Sequence, residues 1–203
     1  MPIIPPEEYD ISYFDGMLSS YTHNAGYSRY QKWYVKDFTL FPDGDSAGEF
    51  FADIGKRMLA FMANKTVLEI GCAKGYIVEW LRDNGIEAWG IDVSPYAIGE
   101  ARPDIQQYLT VANALDYVPA LGKNDFNIIF SRWTLSCFTD DQLINTLVPA
   151  MNNAGFLQCH IVWPEINPLY YNAHTIDWWL NSAGFKNKTV IINNDDIANY
   201  YQV

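Results

Sequence analysis

The ten residues 67–76, reading VLEIGCAKGY, constrain this chain more than any other stretch. Val67, Leu68 and Ile70 are apolar and partly β-branched, as a buried parallel strand requires. A carboxylate, Glu69, interrupts them near the end. Gly71, Cys72, Ala73 and Gly75 then supply small side chains around Lys74, where the chain must turn. Tyr76, Ile77, Trp80 and Leu81 follow at helical spacing. Strand, tight turn and helix in that order bring backbone N–H groups to a helix N-terminus, where a ligand can meet them.

The rest of the chain repeats the alternation. Strands are expected at 88–93, 107–112, 125–131, 156–163 and 188–192, with 200–203 as a last, antiparallel strand. Helices are expected over 46–64, 75–84 (ended by Gly85), from Ser94-Pro95, over 140–151 with Thr139 or Asp140 as cap, and over 175–182. Strands alternating with helices predict an α/β fold: a doubly wound, mainly parallel sheet of the seven-stranded type.

Residues 1–45 carry many prolines and glycines, yet also Tyr9, Tyr13, Phe14, Tyr21, Tyr27, Tyr30, Trp33 and Tyr34. Disordered tails are poor in aromatics. The segment therefore reads as an ordered N-terminal flap lying on a domain that spans 46–203. It either caps a ligand or packs as a satellite core.

The pattern Glu69-x-Gly71-x-x-x-Gly75 resembles motif I of the class I S-adenosylmethionine (SAM) dependent methyltransferases, usually acid-x-Gly-x-Gly-x-Gly. Ala73 stands where the middle glycine is usual; alanine still permits close backbone approach at ordinary φ. The resemblance extends in the right order over about three-quarters of the chain, on a Rossmann-like fold. It implies methyl transfer from SAM, with S-adenosylhomocysteine leaving, to an acceptor that the sequence does not identify and that is expected to be a small molecule.

The resemblance also implies roles. Glu69, Gly71, Cys72, Ala73 and Gly75 would hold the methionine moiety. Asp92, which closes the second strand, would accept the ribose hydroxyls; its alternative is a plain helix-start carboxylate. Val93 and Ala114 or Leu115 would flank adenine, with Asn113 accepting from its amino group. Ser131 and Arg132, at the end of the fourth strand, would line the donor near the sulfonium. Flap aromatics, among them Tyr13, Tyr21, Tyr30 and Trp33, would close the site. His174 and Arg132 are candidates for the catalytic role, and helix capping or a surface ion pair the plainer alternatives. A SAM- or nucleoside-binding module without transferase activity, or an interaction protein, is the other reading of the same residues.

Composition limits the partners. Lys plus Arg number 13 against 24 Asp plus Glu, a net charge of −11. Such acidity disfavours the phosphate backbone of nucleic acids. No apolar run reaches the ~20 residues that span a bilayer. No basic and apolar leader is visible at the N-terminus, so a cytoplasmic protein is expected. The three cysteines, Cys72, Cys137 and Cys159, are widely spaced, which fits reduced thiols better than a disulfide or zinc framework. No His/Cys/Asp grouping has metal-ligand spacing. A third glycine for a nicotinamide-dinucleotide fingerprint is missing. Asn167-Pro168-Leu169-Tyr170 is similar to the Asn-Pro-Pro-Tyr motif of methyltransferases that act on amino groups of DNA or protein glutamine, but it follows the fifth predicted strand instead of the fourth. His160 reads as a packed strand residue.

Overall fold

The structure is a computed structural model of the chain, and it describes residues 9–11, 14, 62–123, 125–132, 134–154, 157–162, 178, 181–184, 189–192 and 199–202. Among these, seven strands form one sheet in the order β3-β2-β1-β4-β5-β7-β6. They are β1 (Thr66–Ile70), β2 (Glu87–Asp92), β3 (Leu109–Val111), β4 (Ile128–Arg132), β5 (Leu157–Val162), β6 (Thr189–Ile192) and β7 (Asn199–Gln202). β1 to β5 pair in parallel, and β7 runs antiparallel between β5 and β6. The α/β, mainly parallel expectation holds, and so does the antiparallel last strand.

β1 is buried along nearly its whole length, as a central parallel strand between β2 and β4 must be. Leu68 and Ile70 share a face with their register partners Ile129 and Ser131. That face packs on Leu135, Leu143, Leu147 and Met151 in the main core cluster. Helix α1 (Tyr76–Asp83) follows the turn and buries Ile77, Val78 and Leu81. Gly85 ends it at φ +78°, as expected. Helix α2 (Pro95–Gly99) starts on Ser94, whose Oγ accepts the Ala97 N–H at 3.0 Å, with Pro95 at its first position.

β4 begins at Ile128 and not at 125, and the third strand and the helix after β4 also differ from expectation. The third strand covers only Leu109–Val111, because Gln106–Tyr108 closes a 3-10 turn. Gln106 Nε2 donates to the carbonyls of Gly99 and Ala101, which draws that segment back toward α2. Thr139 is the cap of the next helix, in a reciprocal box with Gln142. That helix runs as α4 (Asp140–Gln142), a π-helical turn (Leu143–Leu147) and α5 (Val148–Ala154), after the short α3 (Ala114–Tyr117). Pro149 accounts for the slip: it has no N–H to give the Asn145 carbonyl, and its ring crowds that oxygen.

The flap residues Tyr13, Tyr21, Tyr30 and Trp33, most of the expected 46–64 helix, the Asn167–Tyr170 motif and His174 lie outside the described residues. No helix among the described residues is long and apolar enough to cross a membrane.

Candidate functional site

Parallel pairing of β1 to β4 sets their carboxyl ends along one edge of the sheet. Onto that edge open the loop after β1 (71–75), Val93 and Ser94 after β2, Ala112 and Asn113 after β3, and the 3-10 turn Thr134–Cys137 after β4. Strand order runs from β3 down to β1 on one side and from β4 outward on the other. The crevice between β1 and β4 is therefore the switch point, where open α/β sheets place ligands.

The loop after β1 is built from left-handed residues. Gly71, Ala73 and Gly75 stand at φ +75°, +49° and +71°. Gly71 and Cys72 donate their N–H groups to the Ile91 carbonyl at 2.8 and 3.0 Å, which welds the loop to β2. A Cβ at Gly71 would lie 2.6 Å from Thr134 Cβ and Cγ2, so the loop rests against the turn after β4 with no room for a side chain. The expectation of an ordinary φ at Ala73 is corrected. It takes the left-handed conformation of the glycine it replaces, which costs an L-residue about 1–2 kcal/mol.

Asp92 is the node of the edge. The residue is 9% exposed. Oδ2 accepts the Ala73 N–H at 2.8 Å, and Oδ1 accepts the Ser94 N–H at 2.9 Å. Its backbone carbonyl accepts the Ala112 N–H at 2.8 Å. One residue thus joins the loops after β1, β2 and β3. Burial pushes its pKa up, opposed by hydrogen bonds from the Ser94, Ala73 and Val93 backbone. Cys72, buried beside it, has its thiol pushed well up, first by burial and then by the charges of Asp92 and Glu69. Glu69 itself is 4% exposed.

The other expected residues divide. Asn113 does stand after β3, but its Oδ1 accepts the Leu115 N–H at 2.9 Å, so it caps α3. Val93 is half-buried after β2, while Ala114 and Leu115 belong to the main core cluster. Ser131 lies beside Ile70 in the sheet register, 1% exposed, and its Oγ finds no hydrogen bond among the described residues. Arg132 ends β4 next to it, paired with Ile161 of β5. His160 pairs with Ser131 and Tyr201 across β5.

Two of the flap aromatics, Tyr9 and Phe14, sit at this edge, as does Lys74, to which sequence reasoning gave no role. Phe14 packs on Ala73 and Ala97, with Tyr9 and Tyr96 beside them. Tyr9 also hydrogen-bonds Cys137, whose thiol burial raises to about 11 against that bond. Lys74 is buried in the loop with Nζ 5.6 Å over the Tyr96 ring. The only signal in the sequence was the density of aromatics before residue 45.

Comparison with known proteins agrees with this geometry. Residues 46–142 match the model of a methyltransferase domain family. An uncharacterized methyltransferase, sll0829 of Synechocystis sp. (strain ATCC 27184 / PCC 6803 / Kazusa), is 27% identical over 95 residues, covering 47% of this chain and 44% of that protein. The chain thus spans less than half the length of this curated relative. A SAM-dependent methyltransferase from Archaeoglobus fulgidus superposes with a TM-score of 0.60 at 14% identity, covering 77% of this chain and 75% of its own. The magnesium protoporphyrin IX methyltransferase of Synechocystis PCC 6803, solved with bound SAH, superposes with a TM-score of 0.52 at 14% identity, covering 76% and 80%. The match over 46–142 and the sheet order thus agree: the chain resembles the methyltransferase domain family over that stretch and carries the Rossmann-like fold of these solved methyltransferases.

Proposed function

We propose that the chain is a SAM-dependent methyltransferase acting on a small molecule. The observation that carries the reading is Asp92: a buried carboxylate closing β2 at the switch-point edge, holding the left-handed loop in place. Oδ2 accepts the Ala73 amide and Oδ1 the Ser94 amide, with the Val93 amide also turned to the carboxylate; a carboxylate offers about four lone-pair sites, so a ribose hydroxyl can still be received. The unmatched Ser131 Oγ on β4, two strands over, fits a polar group of the donor. The named neighbours, one SAM-dependent and one with bound SAH, support the same donor.

In this reading the backbone of Gly71, Cys72, Ala73 and Gly75, with Glu69, receives the methionine end. Val93 and Ala114 or Leu115 wall the adenine. Asn113 offers the second lone pair of its carbonyl, the first being spent on its own helix. Ser131 and Arg132 stand nearest the transfer point. SAM supplies an activated methyl group, so the chain's own residues chiefly align and exclude water; alignment contributes ~7–11 kcal/mol. His174 or Arg132 would serve an acceptor that must lose a proton. The net charge of −11 argues against nucleic-acid substrates. The free thiols of Cys72 and Cys137 suit the cytoplasm. Residues 1–45 act as a cap on a domain of 46–203.

A second reading, a SAM- or nucleoside-binding module without turnover, draws on the strained Ala73 and the occupied Asn113 carbonyl. Calorimetric titration with SAM and with S-adenosylhomocysteine tests both: neither binding at millimolar concentration refutes them together. Release of S-adenosylhomocysteine across a panel of small amines, alcohols and acids separates the enzyme from the binder.

A further inference from the structure

We propose that Tyr9 and Phe14 act as a strap at the rim of the crevice, with Phe14 docked on Ala73, so that strap docking and donor binding reinforce each other. The coupling rests on the SAM reading above; the docking does not.

The Phe14 N–H donates to the Asp10 carbonyl at 3.1 Å. Phe14 is 5% exposed because it packs against Ala73 and Ala97. Its ring lies 6.4 Å from that of Tyr96, tilted by 34°. Tyr9 reaches the turn after β4 and hydrogen-bonds Cys137. Two aromatic side chains thus bridge the loops that follow β1, β2 and β4, which bound the switch-point crevice.

Ala73 explains why the bridge falls there. Its backbone takes a conformation that glycine adopts freely and alanine does not. Glycine would satisfy the turn, but only a Cβ gives Phe14 a surface to pack on. The Ala73 N–H is held by Asp92 Oδ2. A single residue therefore joins the strap on one side to the carboxylate proposed for the ribose on the other. A donor that orders Asp92 and the loop steadies the seat of Phe14, and a docked Phe14 steadies the loop. Reciprocity of this kind follows from linkage.

The test compares the parent protein with Phe14→Ala, Ala73→Gly and Tyr9→Phe, the last removing only the hydroxyl. Alkylation of Cys137 by iodoacetamide, read by mass spectrometry, and hydrogen exchange of the Phe14 amide report docking in donor-free protein. Calorimetry with S-adenosylhomocysteine reports coupling. Phe14→Ala and Ala73→Gly are expected to speed both docking signals tenfold or more and to weaken S-adenosylhomocysteine binding at least fivefold. Tyr9→Phe keeps the ring but removes a bond that favours the Cys137 thiolate, so it is expected to slow alkylation and leave exchange unchanged. In the parent, saturating S-adenosylhomocysteine should slow alkylation. Unchanged alkylation and exchange in Phe14→Ala and Ala73→Gly overturn the strap. Equal ligand affinity in parent and variants overturns the coupling. A parent that ignores the ligand while both variants still expose Cys137 refutes the donor reading and leaves the docking established.

Discussion

Gly71→Ala isolates the contact between the glycine loop and the turn after β4. At φ +75° an alanine carries left-handed strain of about 1–2 kcal/mol. Its Cβ would also sit 2.6 Å from both Cβ and Cγ2 of Thr134. The partner atoms are a branched side chain held close to its backbone, so relief requires movement of the 3-10 turn. Overpacking of that kind adds about 1–3 kcal/mol. The expected loss is thus about 2–5 kcal/mol, a large share of the stability of an ordinary domain. Urea denaturation followed by circular dichroism measures it as a lower midpoint with an unchanged slope. Pairing the change with Thr134→Gly separates the two contributions. Removing the Thr134 side chain should recover the overpacking share, a coupling of about 1–3 kcal/mol, and leave the backbone strain. A loss below ~1 kcal/mol for Gly71→Ala, or strict additivity with Thr134→Gly, would show that the loop does not rest on this turn.

Three further outcomes are expected. Ser131→Ala removes a buried hydroxyl that has no partner among the described residues, so the donor-free protein should gain about 1 kcal/mol in thermal or urea unfolding while SAM affinity falls; a loss of stability would mean the hydroxyl is already satisfied. The folded pKa of Asp92 is raised by burial, so its own contribution favours the folded state below the unfolded value near 3.8 and is lost as pH climbs through the folded value. The ionised form is the one that receives a diol, and donor affinity should therefore rise with pH across that same interval in calorimetry and lose this dependence in Asp92→Asn. Arg82 lies 3.5 Å over the Tyr108 ring and 4.5 Å over that of Trp89, with Nε donating to the Ala88 carbonyl. Arg82→Lys should cost about 1–2 kcal/mol in unfolding and leave donor affinity unchanged, because these contacts lie away from the carboxyl edge; an altered affinity would tie the stack to the site.

Much of the fold could be read from residue pattern because local and global preferences agree in it. The apolar run of β1, the Ser94-Pro95 start and the Gly85 stop each have one good local solution, and the sheet uses it. The third strand was overestimated because Gln106 spends its amide on the carbonyls of Gly99 and Ala101, seven and five residues back, a choice that the strand's own residue pattern does not announce. The π-turn is equally silent: Pro149 announces trouble, but not how the helix resolves it. At the site, Asp92 was identified by its place at the end of the second predicted strand, and the structure gives it a second task, holding amides. Asn113 shows the reverse risk, since a short polar side chain after a strand caps a helix as readily as it meets a base. Ala73 was misjudged because its backbone angle depends on the contacts of the whole loop. Phe14 was hidden among many aromatics, with no periodicity to mark the one that docks.

The order β5-β7-β6 has a consequence for how the chain is made. β6 reaches the sheet only through β7, so when β6 is synthesised it has nowhere to dock. At ~5–20 residues per second, the stretch between Val162 and Asn199 takes about 2–7 s to leave the ribosome. For that interval the outer edge of β5 stands open beside nascent chains of the same kind. Deleting 199–202 should make the open edge permanent, and yield at 37 °C would then depend on chaperone supply more than on the stability of the glycine-loop half.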